Sequence, residues 1–223
     1  LAGGAPRFAR PTQDDHPFGD PVLETLLEAF LVWEAGHKRA ATAPAKIAAH
    51  CVDANELRIC LTAEIVAALG SSYPKAAERA DRIRATLNDI FQREHDVSLA
   101  SLAEAGKREA RQYLDSLDGI PPYVAARTAL LALDCHAFPA DTRLTKLLHA
   151  EGCLPDAEQP EAAAGWIERQ LRAGEARDMF LALEHWAAER RASSRTNTGT
   201  GRTTKKAASR KTRGRKPSAR SDG

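Results

Sequence analysis

Large rings and methionine are scarce in this sequence: aromatic residues fill 5% of its 223 positions and Met occurs once, while 43% of the chain is apolar. A core must therefore come mainly from Ala, Leu and Ile, which favours closely packed helices. Nowhere is there a run of about 18 uninterrupted apolar residues. Even the stretch from Val22 to Val32 is broken by Glu24 and Glu28, so no membrane is expected as a partner and a soluble protein is. Period-2 runs of β-branched residues are also missing, which argues against sheet. The four cysteines, Cys51, Cys60, Cys135 and Cys153, show no C-x-x-C spacing. That argues against a disulfide framework and a four-cysteine metal site, and for buried thiols in a reducing compartment. The chain opens on Leu1 rather than Met, so its start says nothing about targeting.

What the sequence does have is an uneven distribution of charge. The formal total is +2, but residues 190–223 carry twelve Lys and Arg against one acid, Asp222, a net +11. Residues 1–189 then hold 20 bases against 29 acids, or −9. The basic stretch lacks Leu, Ile, Val and aromatic residues, so it cannot bury enough apolar area to offset its chain entropy and is expected to be disordered alone. Its charge density suits it to neutralise phosphates and release counterions, though a solubilising tail would have the same composition. Within it, Thr212-Arg213-Gly214-Arg215-Lys216-Pro217 resembles an AT-hook. There Gly214 would let the backbone reach the floor of a narrow A·T minor groove, while Arg213, Arg215 and Lys216 would meet its negative potential. Lys216 displaces the proline that usually follows the second arginine, so the match is partial.

Helical periodicity organises the rest. Residues 1–19 hold three prolines and three glycines without periodicity and read as a flexible segment, and the folded domain is expected over 20–189. Asp20-Pro21 offers an N-cap followed by proline at the first helical position, before an apolar face of Val22, Leu23, Leu26, Leu27, Phe30 and Leu31. Short helices are expected over Pro44–Val52, Ala54–Leu61 and Thr62–Leu69, the last closed by Gly70, and a longer one carries Ala80, Ile83, Leu87 and Ile90. Ser101-x-x-Glu104 reads as a capping box before Ala110, Tyr113 and Leu114. A tight break at Asp118 to Pro122 precedes an apolar helix to Leu133. Asp141-Thr142 caps another helix, and two more contain Trp166 and Trp186. The fold class is all-α.

A helix, a tight glycine turn and a second helix can direct backbone N–H groups at one phosphate. Leu117-Asp118-Gly119-Ile120-Pro121-Pro122-Tyr123-Val124-Ala125 has that form. It resembles the hairpin of the helix-hairpin-helix base-excision DNA glycosylases, endonuclease III branch, which reads Leu-Pro-Gly-Val-Gly-Arg-Lys-Thr-Ala. Continuing without a gap, the family's Val-Asp-Thr-His falls on Ala140-Asp141-Thr142-Arg143, with Asp141 at the family's distance from Leu117. Upstream, the stretch from Leu69 to Ala76 is similar to the Gly-Leu-x-x-x-Lys-Ala segment that precedes the hairpin.

The resemblance implies a two-lobed helical body that binds double-stranded DNA as a monomer in the bacterial cytoplasm, associated with the nucleoid. Gly119 and Ile120 would contact the DNA backbone, and a base would be everted into a groove shared by the hairpin and Asp141. Asp141 would be the catalytic carboxylate, stabilising the cationic sugar or activating the attacking nucleophile. On sequence alone an ordinary helix N-cap is the commoner role for such an aspartate, and both roles can hold at once. Tyr123 stands where bifunctional members carry a Schiff-base lysine, so a monofunctional glycosylase without strand cleavage is implied, with Tyr123 lining the base pocket or packing in the core. Pro121 and Pro122 remove two backbone donors and should weaken phosphate binding. Because no cysteine follows Cys153, the family's iron–sulfur cluster has no ligands; neither metal nor other cofactor is expected. In the first helical corner Trp33 reads as core, Glu34 would repel DNA, and His37-Lys38-Arg39 reads as a solvated turn. The alternative is a catalytically inactive DNA-binding or nucleoid-associated protein that keeps the scaffold and relies on the basic tail. A less favoured one is an acidic helical module for basic partners.

Overall fold

The computed structural model describes residues 20–154 and 159–190, and among them every regular element is helical. The segment 1–19 and the basic stretch bearing Arg213, Gly214, Arg215 and Lys216 lie outside the described residues. Helix α1 (Pro21–Val32) begins at the Asp20 cap, whose side chain accepts the Leu23 N–H at 2.8 Å. Eight of its twelve residues are buried, so it is a core helix rather than a surface one. One turn of helix, α2 (His37–Ala40), occupies the place expected to be a solvated turn, and its three polar side chains are still exposed.

Helices α3 (Ala43–Ala48), α4 (Ala54–Ile59), α5 (Thr62–Leu69) and α6 (Ala76–Glu94) follow, with α4 and α5 packed on α6 and α3 on α5. α3 stops four residues short of the expected Val52, because the chain must turn before Asp53, which caps α4 through the Glu56 N–H at 2.7 Å. The expected capping box at Ser101 and Glu104 does not form. Ser101 lies in a 3-10 turn, Ala100–Ala103, that Glu104 closes, and α7 (Lys107–Asp115) starts later from Gly106 without a side-chain cap. The amphipathic face counted from Ala110 still forms, with Ala110 and Leu114 buried.

α8 (Pro122–Leu133) is the centre of the molecule. Its first nine residues except Pro122 are all buried, four of them small (Ala125, Ala126, Thr128 and Ala129), and α1 packs against it. α7 packs on its other side. α9 (Thr142–Ala150), α10 (Pro160–Gln170) and α11 (176–190) close the structure. α11 is pinned by Phe180, edge-on to Phe138 at 5.9 Å, and by Arg177, whose Nη1 donates to the Leu131 carbonyl at 2.9 Å. No described helix is long and apolar enough to cross a membrane.

Candidate active site

The corner after α1 is fixed first. Arg79 of α6 is fully buried and donates to the carbonyls of Phe30, Trp33 (2.6 Å) and Pro74 (2.8 Å), while the Tyr73 hydroxyl donates to the Leu31 carbonyl at 2.7 Å. A cation and a hydroxyl thus satisfy the open end of α1, where the helix dipole is negative. Burial lowers the Arg79 pKa to about 10, offset in part by Tyr73, Glu34 and Glu78. The guanidinium remains charged at neutral pH. Trp33 is buried, as expected, and forms the platform for Lys75, whose Nζ lies 4.5 Å from the ring centre.

Glu34 follows with φ 55, a left-handed conformation rare for glutamate. The strain has a use: it turns the Glu34 N–H toward Asp141 Oδ2 (3.2 Å) and the Glu34 carboxylate toward the Thr142 N–H (3.0 Å). The corner and the start of α9 exchange one bond in each direction. Asp141 also caps α9 through the Leu144 N–H at 2.8 Å, and Arg143 Nη1 lies 3.4 Å from its Oδ2. The Arg143 guanidinium rests against Gly36, where a Cβ would come within 2.8 Å of it, and the φ of +79 there also favours glycine.

These contacts correct one expectation. Asp141 was expected to face an open groove, yet it is only 3% exposed and both of its oxygens are engaged. Burial is the main reason its pKa is raised; Arg143 and the Leu144 N–H pull it back, while the charge of Glu34 pushes it up. The cap that sequence suggested is present, and the partly exposed Arg143 side chain lies against its Oδ2 beside the Glu34 N–H.

Tyr123 is likewise buried, and its hydroxyl donates to Glu184 Oε1 at 3.2 Å. The other Glu184 oxygen bonds the His37 ring. Burial alone would raise the Glu184 pKa, but the His37 bond and the Arg127 charge outweigh it and hold the carboxyl below its usual range. The Tyr123 phenol is pushed well up, first by burial and then by the Glu184 charge. Beside them Arg127, 2% exposed, donates to Glu28 at 3.2 Å, while its Nε and Nη1 meet no acceptor among the described residues. His37, Arg127 and Glu184 come from three distant segments, and no local spacing in the sequence announces that they meet.

The hairpin sits tight on α6. Gly119 has φ +73, and a Cβ there would lie 2.8 Å from that of Ala85, so close approach and backbone conformation both require glycine. Arg82 Nη1 donates to the Gly119 carbonyl (3.1 Å) and Thr86 to that of Asp118 (2.8 Å). The Asp118 N–H is taken by Asp89 (2.8 Å), and the Ile120 N–H lies 3.4 Å from the Leu117 carbonyl. With Pro121 and Pro122 lacking N–H groups, the turn presents few donors to an anion.

No family model matches the chain, and no curated protein matches it by sequence. Solved structures do match. A Clostridium acetobutylicum 8-oxoguanine glycosylase/lyase, in complex with double-stranded DNA containing cytosine opposite 8-oxoG, superposes with a TM-score of 0.56 at 17% identity over 76% of this chain. The chain spans 60% of that enzyme's length. A thermostable thymine-DNA glycosylase superposes with a TM-score of 0.54 at 17% identity, over 80% of this chain and 76% of its own. Over its described residues the chain is all-helical and shares the fold of these two DNA glycosylases.

Proposed function

We propose that this protein binds double-stranded DNA and acts as a monofunctional DNA glycosylase, hydrolysing the N-glycosidic bond of a damaged or mispaired base. The observation that carries the reading is Asp141: a carboxylate of raised pKa at a helix start, inside a fold whose solved examples are DNA glycosylases. In this reading Arg143 swings off the carboxylate when DNA binds, giving up its 3.4 Å contacts with Asp141 Oδ2 and the Val32 carbonyl. Asp141 then stabilises positive charge on the sugar or takes a proton from water. Tyr123 offers no amine to form a Schiff base, so the product is an abasic site in an intact strand. The spare donors of Arg127 lie beside Tyr123 and suit the polar edge of a base. Gly119 and Ile120 lie against the DNA backbone at reduced affinity, and the tail with Arg213, Gly214, Arg215 and Lys216 supplies salt-sensitive attraction.

The test is a panel of duplexes bearing 8-oxoguanine opposite cytosine, thymine mismatches, uracil, alkylated adenine or thymine glycol, treated with alkali to reveal abasic sites. Release by the wild type, lost in Asp141→Asn with DNA binding retained, is expected. The closed position of Asp141 and the Asp89 bond to the hairpin favour a second reading, an inactive DNA-binding scaffold. Failure of every substrate with intact DNA binding would establish that one instead.

A further inference from the structure

Two of the cysteines, read from sequence as independent small hydrophobes, meet. Cys51 Sγ and Cys60 Sγ are 3.2 Å apart. They bracket α4: Cys51 lies two residues before its cap Asp53, and Cys60 is its C-terminal cap residue. Cys51 is 4% exposed, whereas Cys60 is partly open to solvent. Both line a hollow of about 200 Å³ together with Ile47, His50, Leu57 and Ile65. The chain neighbours of the two cysteines, Val52, Ile59 and Leu61, are exposed at 85%, 65% and 62%. A small molecule therefore has a route to the thiols, and α4, only six residues long, is too short to hold its own shape without help.

We propose that Cys51 and Cys60 are a reversible dithiol–disulfide site, oxidised by small-molecule disulfides that enter through this hollow. Cys60, the more accessible, gives its proton to solvent and its thiolate attacks one sulfur of the small disulfide. That S–S bond breaks and one small thiol leaves, taking up a proton. Cys51, in contact, then attacks the Cys60 sulfur; its proton goes to the second departing thiol. Two protein thiols lose two electrons in all, and one small disulfide becomes two thiols. The order of events agrees with the surroundings. Burial, then the Cys60 hydrogen bond and the charges of Glu56 and Glu64, push the Cys51 thiol up to about 12, so it reacts only with a partner already in contact. A reducing compartment keeps the pair open, and oxidative conditions close a loop around α4.

The experiment uses the full chain and oxidised glutathione as the probe, with thiols blocked afterwards by N-ethylmaleimide and the protein read by intact mass and peptide mapping. The wild type is expected to lose the blockable thiols of Cys51 and Cys60 and to yield a Cys51–Cys60 linked peptide without lasting glutathione on either residue, reversed by dithiothreitol. Cys51→Ala should instead retain glutathione on Cys60, and Cys60→Ser should leave Cys51 unmodified. Exposed Cys153 takes up glutathione in every variant and is read separately by its own peptide. A stable adduct on Cys60 of the wild type, direct modification of Cys51 in Cys60→Ser, or linkage of either residue to Cys135 or Cys153 would overturn the proposal. So would no reaction at either thiol.

Discussion

Two aspartates begin helices in this molecule with nearly the same backbone, Asp20 at φ −109, ψ 161 and Asp141 at φ −109, ψ 170. Each accepts the N–H three residues on at 2.8 Å with its Oδ1. They part at Oδ2. That of Asp20 takes the Ser98 hydroxyl and the Leu99 N–H, both at 2.8 Å, which tie α1 to the 3-10 turn. That of Asp141 has longer contacts, the strained Glu34 N–H at 3.2 Å and the Arg143 guanidinium at 3.4 Å. Both oxygens of Asp20 are held at 2.8 Å by fixed neighbours; the proposed function requires that the longer contacts at Asp141 Oδ2 be released.

The sharpest way to break this comparison is to replace both carboxylates by amides. Asparagine caps helices about as well as aspartate, so each variant should fold. Asp141→Asn is expected to lower base release by at least about 100-fold, and Asp20→Asn to leave the rate per folded molecule unchanged; single-turnover assays on the responsive duplex decide. Removing the caps outright sharpens the structural side. Asp20→Ala should cost about 2–3 kcal/mol in denaturant unfolding, from the cap and two tertiary hydrogen bonds.

A third expectation concerns pH. The folded-state pKa of Asp141 is raised, chiefly by burial, so the native state holds its proton more tightly than the unfolded chain. Its contribution is therefore most favourable below the unfolded aspartate pKa and is lost as pH rises through the folded value. Relative to Asp141→Asn, the wild type should become progressively less stable over that rise, measured by denaturant midpoints across a pH series. A wild type that gains on the variant as pH rises would contradict the buried placement. The smallest effect is expected of Glu34→Gln, which keeps the acceptor for Thr142 but removes a charge facing Asp141. DNA affinity at low salt should rise about two- to fivefold, in line with the energy of a single exposed charge, and a salt titration of binding would detect it.

Much of the fold was legible because it rests on local rules. Asp20-Pro21, Thr62 to Gly70 and the Asp141 cap each declare a helix boundary within a few residues, and the structure has them. Where a local rule met a competing demand it failed: Ser101 and Glu104 have capping-box spacing, but Ser101 lies in a 3-10 turn that Glu104 ends, and α3 gives up its last turn to the bend that the Asp53 cap requires. In the candidate site, Asp141, Gly119 and Tyr123 could be found because they sit on one short segment with informative spacing. The partners that define their environment could not. Arg79 and Arg127 are buried charges and Glu184 a half-buried one, supplied by separate helices, and only packing brings Glu184 onto Tyr123 or Arg79 onto the end of α1. The contact of Cys51 with Cys60 was hidden likewise, since it depends on the path of the chain around α4.

The reciprocal pair between Glu34 and the start of α9 makes the corner and the carboxylate one mechanical part. A strand that leans on residues 33–36 cannot shift them without severing two bonds at the foot of α9 together, because each is anchored by the other's backbone. Pressure at the surface is thereby relayed to Asp141 directly, with no intervening lever.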